Sequence, residues 1–209
     1  MKIDHKILPG NIHLLTFENQ LDITSSFLRF QEYYESPKFK GQFFTLKEFR
    51  EWYIKNSPRG KKTGKFTYYS DWSGFNIPSY VLKPFYENKF RNLSESEKNI
   101  LNIFINEKEP FYIIGVHKKS KLSNQLLKHE IAHGLFATNK NYKKEILSVL
   151  SNYDTDLVKQ EIRSKGSYHE DVLEDEIHAY CLATNSKLKV RIPDGLTKEL
   201  RSVYKKYYK

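Results

Sequence analysis

In the run His129-Glu130-Ile131-Ala132-His133, two imidazoles stand four residues apart with a carboxylate beside the first. On an α-helix, residues four apart share a face, so both rings can reach a single ion. Glu130 lies about 100° round the axis, beside the pair rather than between them. From there a carboxylate can accept a proton from water without displacing a ligand. The chemistry this suits is hydrolysis assisted by a divalent cation such as Zn2+, with Glu130 as general base.

A catalytic zinc site wants three protein ligands and one open position. The other histidines are His5, His13, His117, His169 and His178, and the residue six places after His133 is Asn139. A third imidazole at metzincin spacing is therefore missing, and the remaining ligand is expected to be a carboxylate further along the chain. Glu176 is the first choice. On a helix spanning 170–184, Val172, Leu173, Ala179, Tyr180 and Ala183 fall within about 60° of it, so an acid would sit in the middle of an apolar stripe. Such a group is costly to bury unless it is paired, and a cation would pair it. Glu174 is the alternative ligand. On this wheel Glu174 and His178 face the opposite side, which is expected to be solvated. The competing account makes both motif histidines surface or hydrogen-bonded core residues, and Glu176 a protonated or arginine-paired structural acid.

The elements that must position these groups are legible in part. Helices are expected at about 123–137, 142–152, 158–165, 170–184 and 198–206. On the first, Leu127, Ile131, Gly134 and Leu135 oppose the histidines and can pack into a core, while Leu126 and Phe136 flank the rings and could exclude water. Capping boxes at Thr45-Leu46-Lys47-Glu48 and Ser94-Glu95-Ser96-Glu97 each announce a helix start, and Ser57-Pro58 is expected to end the first of these helices. Asp22 to Tyr34 reads as a helix, and Ile7 to Phe17 as one or two opening strands. Phe66 to Phe85 suggests a hairpin or ordered loop around Gly74, in which Trp72 and Phe75 either line a groove or fill a core. Phe111 to Val116 is a short β-branched strand.

The chain has 209 residues and a net charge of +10, with 15 tyrosines and 14 phenylalanines. That length suits one domain with a subdomain, divided by texture into an aromatic-rich α/β part at 1–92 and a core at 93–209. A lone cysteine, Cys181, argues against a disulfide framework and fits a reducing compartment. No apolar run is long enough to cross a bilayer, and Met1 to Gly10 lacks the apolar segment of a secretory signal. A cytoplasmic location is the expectation, with signal-less export as the alternative. The lysines are scattered, with local clusters at Lys61, Lys62 and Lys65, at Lys118, Lys119 and Lys121, and at Lys205, Lys206 and Lys209. A solvated surface accounts for them better than nucleic-acid binding does.

His129-Glu130-Ile131-Ala132-His133 followed by Glu176-Ile177-His178-Ala179 resembles the gluzincin branch of the zincin metallopeptidases, and the compact size is similar to that of minigluzincins. The resemblance covers roughly residues 110–185. It implies an α+β, zincin-like fold, with a small mixed sheet, an active-site helix and C-terminal helices. It further implies zinc held by His129, His133 and Glu176, a peptide or protein substrate, and an edge strand at Phe111–Val116 that binds substrate by strand addition. Thermolysin-like members carry an aspartate four residues after the ligand glutamate. Tyr180 stands there in this chain, so a histidine must be oriented from elsewhere, for which Asp175 or a backbone carbonyl could serve. Tyr180, Tyr168, Tyr142 and His169 are candidate oxyanion donors. Two other expectations compete with a peptidase: a regulator on the same scaffold without proteolysis, and a nucleic-acid-associated protein using the basic segment Arg201, Lys205, Lys206 and Lys209.

Overall fold

The computed structural model describes residues 1–120, 123–165, 172–183 and 188–209, with the backbone alone for Lys165. It is an α+β protein whose contacts fall into two compact units, Met1–Lys6 with His13–Ser120 and Ile7–Ile12 with Lys121–Lys209. The contacts divide at 120, whereas the texture of the sequence changes near 92. The strand ahead of the His-Glu motif therefore clusters with the aromatic elements.

The first unit runs β1 (Ile3–Leu8) and β2 (Ile12–Phe17), apart from their facing ends at Ile7, Leu8 and Ile12, then α1 (Gln20–Glu35), α2 (Leu46–Asn56), α3 (Pro58–Thr63), α4 (Tyr68–Asp71), β3 (Gly74–Pro78), α5 (Lys83–Tyr86), α6 (Glu95–Phe104) and β4 (Tyr112–His117). Both capping boxes form: Thr45 and Ser94 accept from the backbone of Glu48 and Glu97, whose side chains reach back. Asn19 caps α1 in the same manner, accepting from Asp22 N at 2.9 Å. Ser57 ends α2, and Pro58 at once opens α3, where a missing N–H does no harm.

Two expectations are corrected here. Phe66 to Phe85 is no hairpin: it holds α4, then β3, then a single 3-10 turn at Ser79–Leu82. Gly74 lies in extended strand, Phe75 is core and Trp72 is half exposed. Nor is the strand at 112–117 an edge. The sheet order is β1-β2-β4-β3, so β4 has neighbours on both sides, and β3 joins it antiparallel with Phe75 opposite Gly115. All six residues of β4 are buried. Any strand addition would have to use β1 or β3.

Helix α1 covers the sheet. Phe27 presses so closely on β4 that a Cβ at Gly115 would meet its ring at 3.0 Å, and the ring would have to give by a few tenths of an ångström. Around Phe27 the core is largely aromatic, including Phe17, Phe30, Phe49, Phe85 and Phe90. Buried inside is one complete ion pair. Arg29 donates to both oxygens of Glu97 at 2.6 Å and to the carbonyls of Arg91 and Asn92 at 3.0 and 3.2 Å. Each side chain is only 2% exposed.

The second unit holds the turn Ile7–Ile12 and five helices, α7 (Asn124–Thr138), α8 (Lys140–Leu150), α9 (Asp156–Lys165), α10 (Leu173–Leu182) and α11 (Leu196–Tyr207). Ser123 caps α7 through Leu126 N at 3.1 Å. Asn139 ends α7 and caps α8. Gly10, at φ 82°, lies on Leu135 so tightly that a Cβ would stand 2.6 Å from its Cδ2. Thr138 Oγ1 donates to the Gly10 carbonyl at 2.7 Å. Helix α10 packs against α7, α8, α9 and α11. Among the described residues no helix is long and apolar enough to cross a membrane.

Candidate metal centre

Helix α7 presents its chemistry as the spacing demands. Of its back face, Ile131, Gly134 and Leu135 are buried and Leu127 is half-buried. That burial fixes the rotation of the helix and turns His129 and His133 together towards α10. Their Nε2 atoms stand 3.1 Å apart. Glu176 comes from α10, with Oε1 3.8 Å from His133 Nε2 and Oε2 4.0 Å from His129 Nε2. Ligand atoms of the three residues lie within 4.8 Å of one another, and they form the one such group found among the described residues.

The donor set fits a small divalent cation. Four ligands at tetrahedral zinc distances lie about 3.3 Å apart. The three observed separations bracket that value, so small side-chain shifts would bring all three groups onto one ion. The hydrogen bonds behind the rings point the same way. Asp175 Oδ1 sits 2.9 Å from His133 Nδ1. The backbone carbonyl of Ala179 serves His129. The Asp175 charge contact lies on the Nδ1 side of His133 and leaves its Nε2 directed at His129, the side from which a metal would be bound. With a proton on one ring the 3.1 Å contact is an N–H···N hydrogen bond, and a metal ion would take the place of that proton.

Charge at the site tells the same story. Burial opposes a proton on His133, but the Asp175 carboxylate, helped by Glu176 and Glu130, overrides it and holds the ring up at about 10. His129 is driven down to about 3 by burial and by the neighbouring His133. The pair thus accommodates one positive charge between two rings.

Glu130 is half-buried on α7, close enough to His133 for its charge to favour protonation there. Tyr180 is also half-buried, one turn beyond Glu176, with its ring edge-on to His129 at 4.9 Å. Glu174, the alternative ligand, pairs instead with Lys159 at 3.5 Å and takes no part. Tyr142 is fully buried with an enclosed hydroxyl, so it cannot meet a substrate. Tyr168 and His169 lie outside the described residues. Phe136 is buried as expected, but Leu126 is 46% exposed and shields nothing.

One residue was assigned to the wrong environment by its spacing. His178, expected on a solvated face, is 0% exposed. It stacks on Phe136 at 5.1 Å and lies 3.3 Å from the same Asp175 oxygen that holds His133. Burial pushes its pKa down to about 4. His178 thus packs beside the carboxylate whose charge acts on His133. The signal was present: Ile177, Cys181 and Leu182 flank His178 on the helical wheel, and a helix ringed by apolar residues is buried all round.

The basic C-terminal helix buries Leu200 and Tyr204, while Lys206 pairs with Glu145 at 2.6 Å. Comparison with protein-family models, with curated proteins and with solved structures finds no match.

Proposed function

We propose that this chain is a zinc-dependent metallopeptidase of gluzincin type, hydrolysing peptide bonds with Glu130 as general base. The observation that carries the reading is the convergence of His129, His133 and Glu176 from two separate helices on one ion-sized space, with Glu130 on the same helix as the two rings. When bound, zinc supplies a Lewis acid that polarises a carbonyl and acidifies water towards neutral pH. The residues do the rest. His129, His133 and Glu176 hold the ion, and Asp175 and the Ala179 carbonyl keep the rings turned to it. Glu130 takes a proton from the attacking water and returns it to the leaving amine. Tyr180, against His129, is the tyrosine among the described candidates that stands beside the ligands, and its hydroxyl is the donor assigned to the developing oxyanion.

Two measurements test this. Metal analysis of protein purified without added metal should give one zinc per chain, lost in both His133→Ala and Glu176→Ala. Glu130→Gln should retain the zinc and lose at least about a hundredfold in turnover of a peptide library. Zinc bound by wild type without cleavage of any peptide would replace the peptidase with a regulator on the same scaffold. Zinc retained by both ligand variants would remove the site itself.

A further inference from the structure

The first unit contains a cleft of about 510 Å3 with aromatic walls and two carboxylates, Glu32 and Glu35, in its lining. Trp52 and Tyr53 come from α2, Tyr68 from α4, and Trp72 and Phe75 from the stretch leading into β3. The α1 side contributes Gln31, Glu32 and Glu35. No lysine or arginine is among the residues that line it, in a chain of net charge +10.

The acids of this region are served unequally. Asp71, just outside the lining, is matched within the chain: Arg59 donates to it, as does Tyr53 Oη at 2.8 Å. The partners of Glu32 are the hydroxyls of Tyr68 and Ser36, which are neutral. Tyr68 is 1% exposed, and its hydroxyl, turned to Glu32, makes no well-directed hydrogen bond. Gln31 Oε1 is buried without a donor, while its amide donates to Glu35 at 2.7 Å. Glu32 and the Gln31 carbonyl oxygen thus lie against aromatic walls with no lysine or arginine in the lining. Burial accordingly raises the Glu32 carboxyl to about 7.

We propose that this cleft is a binding site for an organic cation, an alkylammonium group that sits over the aromatic walls and donates hydrogen bonds to Glu32 and Gln31. Aromatic faces attract such a group through their quadrupole, most strongly where water is excluded, and an ammonium supplies the donors that these acceptors lack. The chemistry is shared by a free amine and by the lysine side chain of a peptide. This inference stands apart from the metal centre and would survive its failure.

The chain has two tryptophans, and both line the cleft, so intrinsic fluorescence reports on it directly. Four probes separate the cases: butylammonium, its neutral isostere butan-1-ol, a blocked peptide with one internal lysine, and the same peptide with norleucine. Each cationic probe is expected to give a saturable fluorescence change, at least about tenfold tighter than its neutral partner. Tighter binding of the lysine peptide assigns the cation to a polypeptide, and equal binding assigns it to a free amine. Glu32→Gln should weaken the cations by about tenfold and leave the neutral probes unchanged. Trp72→Ala, at a 50% exposed position that leaves the core intact, should weaken the cations when read from Trp52. Neutral probes that bind as tightly as cations, unaltered cation binding in Glu32→Gln, or no saturation at tens of millimolar would each overturn the proposal.

Discussion

The two units bury charge in opposite ways. In the first, Glu97 accepts two hydrogen bonds from Arg29 and one from the backbone of Ser94, and Arg29 spends its other donors on carbonyls. Nothing more is asked of a ligand, and the same carboxylate also closes the capping box of α6. In the second, three imidazoles and two carboxylates gather, with no lysine or arginine in the ion pairs that join them among the described residues, and two ring nitrogens face each other at 3.1 Å. A closed pair locks α1 to α6 and does nothing else. The open cluster has the same density of charge and leaves room for an ion. The difference between structural and chemical burial of charge thus lies in whether the chain completes its own coordination.

Breaking the closed pair should have the largest effect. Arg29→Ala leaves Glu97 as an uncompensated acid at 2% exposure, and the expected loss is about 3–5 kcal/mol in chemical denaturation. The loss should be the same with and without zinc. A loss below about 1 kcal/mol would mean that water reaches Glu97 and that the pair is no more than a surface contact.

The open cluster is probed more gently through its second layer. Asp175→Asn keeps the shape of the side chain but removes the charge that acts on His133 and lies beside His178. Zinc affinity, measured by competition with a chromophoric chelator, should fall by about tenfold to a hundredfold. Unchanged affinity would show that His133 is held by packing alone.

What could be read from the sequence follows the range of the interactions involved. The capping boxes at Thr45 and Ser94 and the helix expected at about 123–137 are local, and each stands as its residues suggest. Glu176 was found because it interrupts an apolar stripe. A solvated place for His178 follows only if α10 has a single apolar face, and its buried residues, Leu173, Ile177, Ala179, Cys181 and Leu182, lie on more than one. Strand β4 was mistaken for an edge, although an unbroken apolar run is itself a sign of burial on both faces. The Arg29–Glu97 pair spans 68 positions, and one sequence offers no means of joining them. The same holds for the aromatic cleft, whose residues come from three helices and a strand.

Between the closed pair and the open cluster stands Glu32, an acid with hydroxyl partners alone, and it offers the finest test of the contrast. Its pKa is raised from 4.5 to about 7 in the fold by burial. The native state therefore holds the proton more tightly than the unfolded chain does. Its contribution to stability is fully present below the unfolded value, declines as pH rises from about 4.5 to about 7, and is flat above. Glutamine resembles the protonated form at every pH. Glu32→Gln should then match wild type near pH 4 and exceed it at pH 8 by about 1–2 kcal/mol, after allowing for relaxation around the ionised group. In a domain of this size that is a few degrees in Tm. The gap should close when a saturating alkylammonium is added to both proteins, because the cation stabilises the ionised acid in wild type and has less to bind in the variant. A difference independent of pH would assign Glu32 to packing and return the cleft to the structural side of the comparison.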